Sequence, residues 1–171
     1  MSRAPMFVLF GSMLCAGCGS SDPSPTERLW ISGLPKSAKA PVSAFVTTRT
    51  GEGKYIGAFF QGSALRGSHD VFEWRADGKD AAKLTFLQDR TTRRIRFETC
   101  KATLGFDMCL IVRGDGGSEQ RYYSRKRWNV RRPGKKQELG AVMVPELIGE
   151  LAEDDDELQA ALELPLEPVS P

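Results

Sequence analysis

The sequence predicts an all-β fold. The expected architecture is a small antiparallel barrel of about eight strands in meander order, with a two-sheet β-sandwich as the alternative. Three observations predict it. Between Arg28 and Ser124, short segments rich in β-branched and aromatic residues recur roughly every ten to fourteen residues, several of them with strict alternation. Their connections carry the Gly and Asp that tight turns require. No helix-length periodic segment separates them, which argues against the crossovers of a parallel sheet.

Taken in order, Arg28–Ser32 is short and apolar. Val42–Arg49 is β-rich and ends at the turn Thr50-Gly51-Glu52-Gly53. Lys54–Gln61 follows, then His69–Arg75 with the turn Ala76-Asp77-Gly78 behind it, then Lys83–Gln88. Thr92–Cys100 alternates around Ile95 and Phe97. Met108–Arg113 and Gln120–Ser124 complete the set, with Gly114-Asp115-Gly116-Gly117 between them. Meander order favours closure, because a closed barrel has no exposed edge. Gly57, Gly62 and Gly67 fall in or beside strands, where glycines mark bulges or barrel corners. A barrel of this size is filled by its own side chains or holds one small ligand. The aromatics Trp30, Phe45, Phe59, Phe60, Phe72, Trp74, Phe86, Phe97 and Phe106 are read as core filling rather than pocket lining.

The N-terminus carries a different signal. Arg3 precedes the apolar run Pro5–Leu14, and small residues follow, which is the layout of a secretory signal. A run of about ten is too short to span a bilayer, which takes roughly 20 apolar residues. Cys15 and Cys18 form a C-x-x-C pair, but no βαβ pattern follows to make it a redox motif. A zinc site needs four ligands, and His69, Cys100 and Cys109 do not repeat the spacing.

Ala16-Gly17-Cys18 resembles the lipobox of bacterial lipoproteins, with Cys15 where that motif usually has Leu and Leu14 one place further back. The resemblance implies that Cys18 is acylated and becomes the first mature residue. Gly19, rather than Asp, after the cysteine implies the outer membrane. The expected organisation is a signal peptide over 1–17, a tether over 18–27, a β-barrel domain over 28–132 and an acidic, low-order tail over 133–171. The tether, Gly19 to Thr26, is polar, Pro-rich and aperiodic. In an exported chain Cys100 and Cys109 are expected to form a disulfide. On the chain-entropy account, closing a loop of that size contributes about 2.5–3 kcal/mol.

The formal net charge of +2 conceals a strong asymmetry. Residues 121–136 hold eight bases and no acid, whereas residues 137–171 hold ten acids and no base. Arg121, Arg125, Lys126, Arg127, Arg131 and Arg132 form a candidate patch for an anionic partner. Tyr122, Tyr123 and Trp128 could stack on bases, but on an exported chain nucleic acid is not the expected partner. Anionic lipid headgroups, envelope glycans or the chain's own acidic segment fit better. That segment carries apolar residues at near-helical spacing, Leu139 to Leu151 and Leu158 to Leu162, enough for one or two short amphipathic helices.

No pattern selects a reaction. His69 lies in Ser68-His69-Asp70, but adjacent strand residues face opposite ways and cannot converge as a triad. There is no phosphate loop, metal-ligand cluster or nucleophile elbow, so no cofactor, metal or catalytic residue is expected. The expectation is a membrane-anchored cell-envelope lipoprotein acting as a non-catalytic binding or scaffolding module. The chain is similar in outline to lipocalin-like barrels, which implies as an alternative a carrier of an apolar small molecule. A second alternative is an envelope hydrolase or hydrolase inhibitor.

Overall fold

The structure, a computed structural model, describes residues 24–36, 40–50, 52–63, 67–130 and 144–162. Eight strands form one closed barrel in simple sequential order. They are β1 (Leu29–Ile31), β2 (Val42–Arg49), β3 (Tyr55–Gly62), β4 (Gly67–Ala76), β5 (Ala81–Phe86), β6 (Thr92–Cys100), β7 (Met108–Gly114) and β8 (Glu119–Ser124). All neighbours are antiparallel, and Ile31 opposite Tyr123 closes the ring. Closure extends beyond β1: the Leu29 amide donates to the Trp128 carbonyl (3.0 Å) and the Val130 amide to the Glu27 carbonyl (3.0 Å). The sandwich alternative is set aside by this closure. Two helices follow, α1 (Val144–Ala152) and α2 (Asp156–Leu162), within the segment expected as a low-order or short-helical tail.

The two faces of the wall explain the burial pattern. β2 is buried at nearly every position, although a half-exposed strand should alternate. Its odd-numbered Phe45 and Thr47 face the interior, and its even-numbered Ala44 and Val46 face outward under the helices. There Leu29, Ile31, Ala44, Val46, Ala58 and Phe60 form one apolar cluster with Val144, Ile148, Ala152 and Leu158. Burying a Val, Leu or Ile side chain contributes roughly 1.5–3 kcal/mol, so this face alone holds the helices strongly. β6, on the uncovered side, keeps only Ile95, Phe97 and Cys100 from full exposure.

The strand glycines are not bulges. The ladder from Tyr55–Trp74 to Gly62–Gly67 runs without a break. Gly57 is present because the Phe72 ring lies over it: a Cβ there would sit 2.4 Å from that ring and 2.7 Å from the Val46 carbonyl oxygen. Gly67 likewise leaves room for the Phe60 ring.

Meander topology sorts the loops into two ends. The start of β1, the β6–β7 loop and the residues after β8 share one end, the base. The β5–β6 and β7–β8 turns share the other, the rim. Cys100 and Cys109 are directly opposed at the base end of β6 and β7 and form a disulfide, with Cα atoms 4.9 Å apart.

Candidate ligand-binding cavity

The base is sealed from inside. Trp30, fully buried, stacks on Phe45 (centroids 6.2 Å apart, 15° between planes). Phe45 meets Tyr122 edge-on at 4.9 Å. The Trp30 indole donates to the Pro25 carbonyl (3.1 Å), so the approach segment is tied across this end. Burial pushes the Tyr122 phenol up to about 12, with a hydrogen bond to Ser43 pulling the other way. Trp30, Phe45 and Tyr122 thus form a rigid floor with their polar atoms satisfied.

Above that floor the barrel is not filled. A cavity of about 550 Å³ extends upward from Phe45 and Tyr122. Its walls are Phe59, Phe72, Trp74, Leu84, Phe86, Ile95, Phe97, Leu110 and Val112. This corrects the expectation of a core packed by aromatics. Six of the nine, Phe45, Phe59, Phe72, Trp74, Phe86 and Phe97, line the space. Trp30 lies in the floor, and Phe60 and Phe106 pack on the outer cluster. The reason is geometric. Eight strands enclose more width than these rings fill once Phe72 and Phe86 (5.9 Å) and Trp74 and Phe97 (5.8 Å) pair along the wall. Among small-molecule sites, roughly 300–1,000 Å³ is the usual range.

Among the described residues, the polar side chains lining the cavity other than Tyr122 gather at the rim. Arg93, Arg94, Asp115, Ser118 and Gln120 border the opening. Arg94 belongs to the outer face of β6 and pairs with Asp77 (2.7 Å). Asp115 accepts the Arg94 backbone N–H (3.0 Å). Asp89 accepts the Thr91 amide (2.9 Å) and hydroxyl (2.7 Å), which hold its carboxyl below the usual value. The Arg93 guanidinium stands over the Phe86 ring, 5.6 Å from its centroid. It borders both the cavity and an adjoining recess of about 280 Å³ that also contains Gln61, Asp70, Gln88 and Asp89.

The residues singled out in the sequence are distributed elsewhere. Cys18, Arg131 and Arg132 lie outside the described residues. Arg121 is exposed on the outer face of β8, opposite Ile111. Arg125 is buried, its side chain 7 % exposed, between the rings of Phe106 (5.5 Å) and Trp128 (5.4 Å). It pairs with Asp155 (2.5 Å) and with Glu157. Arg127 pairs with Asp155 (2.8 Å), and the Lys126 amide donates to Asp107 (2.7 Å). Arg121, Arg125, Lys126 and Arg127 therefore do not form one exposed patch: two of them hold the chain's own acids. His69 is exposed and its ring lies against Phe60 on the outside, while Asp70 points to the recess within.

The groups that border the opening escaped the sequence reading. One signal was available. Arg93 has the same parity as Ile95 and Phe97 in β6, so a cation lies on an apolar face.

A scan against protein-family models matches no family, and searches of curated proteins and of solved structures find no match.

Proposed function

We propose that this chain is a non-catalytic cell-envelope lipoprotein, tethered through Cys18, whose barrel binds an apolar small molecule. The observation that carries the binding reading is the cavity: about 550 Å³, apolar along its walls, sealed at the base and open at the rim. A scaffolding module has no use for unfilled interior volume, since filling it would add packing energy. An apolar guest recovers that energy when it enters. The anchoring reading rests on Ala16-Gly17-Cys18 after a short apolar run.

Native mass spectrometry of the purified chain tests the first part. The expected result is a non-covalent adduct, or saturable uptake of the neutral dye N-phenyl-1-naphthylamine with a rise in fluorescence. A folded chain that takes up neither is not a carrier. Mass spectrometry of the mature N-terminus tests the second: acylated Cys18 as the first residue is expected, and an intact residue 1–17 segment refutes it.

A further inference from the structure

We infer that the guest is a singly charged acidic amphiphile, a long-chain carboxylate, with its apolar chain in the cavity and its head group on Arg93. This rests on the cavity-binding reading and adds the chemical class of the ligand. The cavity walls offer an alkyl chain only apolar contact, so the chain determines depth but not orientation. Orientation comes from the rim, where charge is unevenly committed. Arg94 is turned outward to Asp77. Asp115 is occupied by the Arg94 amide. Asp89 is occupied by both donors of Thr91. Arg93 makes no ion pair within 4 Å among the described residues, although from further off its charge helps hold the Asp89 carboxyl low, and it borders both the apolar space and the polar recess.

A guanidinium over the Phe86 ring is held at the boundary between oil-like wall and water, with donors left for a carboxylate. Asp70 and Asp89 in the same recess restrict the head further. They repel any anionic head, a dianion about twice as strongly as a monoanion, so a monoanion that Arg93 can offset suits the site better than a phosphate dianion. The neighbouring amide of Gln61 offers a polar partner to the head's remaining oxygen.

The test is displacement of N-phenyl-1-naphthylamine from the full chain by dodecanoate, dodecanol, dodecylammonium and dodecyl phosphate, each below its micelle concentration. Dodecanoate is expected to displace the dye at about tenfold lower concentration than dodecanol, the effect of one charge-assisted contact. Arg93→Gln removes that preference while leaving dodecanol unchanged; Arg93→Lys keeps part of it. Arg96→Gln, on the outer face of the same strand, alters neither. If the folded chain does not take up the dye, the cavity reading itself fails. If the dye binds but dodecanol, dodecylammonium or dodecyl phosphate matches dodecanoate, or Arg93→Gln keeps the preference, the head-group inference alone is overturned.

Discussion

Replacing Asp155 by Ala should release the C-terminal helices from the barrel. Asp155 is fully buried and stands just before α2. One carboxylate oxygen accepts the Leu158 amide (3.1 Å), three residues on, as an N-cap, and the Arg125 guanidinium (2.5 Å). The other accepts the Trp128 indole (2.9 Å) and Arg127 (3.0 Å). Removing the carboxylate leaves the buried Arg125 with the exposed Glu157 as its remaining charge partner and the Trp128 N–H without an acceptor. Breaking a buried pair in this way costs about 3 kcal/mol, the low end of the usual range because Glu157 still faces Arg125, and loss of the cap adds about 1 kcal/mol. The same carboxylate sets a pH dependence. Burial alone would raise its pKa, but the Leu158 amide, the Trp128 indole and Arg125 outweigh burial and hold it below the usual value. A depressed carboxylate contributes fully above its unfolded pKa, near 3.9, and the contribution fades as pH falls through the lower folded value. Urea unfolding at pH 7 should therefore show Asp155→Ala losing about 2 M in midpoint, taking a slope of about 2 kcal/mol/M. Amide exchange should locate the first opening in residues 144–162. A loss below about 1 kcal/mol, typical of an exposed pair, or unchanged exchange in the helices, refutes the clamp.

Three further predictions follow from the wall and its interior. Gly57→Ala places a Cβ 2.4 Å from the Phe72 ring and 2.7 Å from the Val46 carbonyl oxygen; it should destabilise by about 1–3 kcal/mol in chemical denaturation. The double replacement of Cys100 and Cys109 by Ser removes the disulfide at the base and should cost about 2.5–3 kcal/mol of unfolding free energy, with no change in dye uptake. Val112→Trp fills the cavity from within; dye affinity should fall by about tenfold or more with the melting midpoint unchanged or higher.

The barrel was legible because strand alternation and turn chemistry are local properties, and all eight expected segments appear as strands. Two things were not. β2 reads as a β-rich segment in which Ser43, Thr47 and Thr48 stand among Val42, Ala44, Phe45 and Val46, and only the docked helices reveal that its outer face is also covered. Those contacts join residues about a hundred positions apart, and no periodicity reports them. The cavity was hidden for a related reason. Alternation tells which side chains face inward, but whether they meet across the centre depends on barrel width and on how Trp30, Phe45 and Tyr122 stack. The destination of the basic run was half legible: its charge balance against the acidic segment was plain, but burial of Arg125 against Phe106 and Trp128 was not.

The position of the N-terminal segment bears on how a ligand would arrive. Pro25 lies at the base, receiving the Trp30 indole and the Thr47 hydroxyl (3.4 Å), whereas Arg93 and the β7–β8 turn are at the other end. If Cys18 carries the anchor proposed above, the chain from there to Ser24 reaches at most about 22 Å when fully stretched. The nine residues of β6 run for about 30 Å along a tilted wall. Such a tether would be about as long as the tilted barrel is tall, and the sealed base would be the end nearer the membrane. In that arrangement the opening would face the aqueous compartment, and a guest would enter from a soluble donor rather than slide directly out of the anchoring bilayer. With the proposed anchor, the tether at the base and Arg93 at the rim would together orient a receiving site outward.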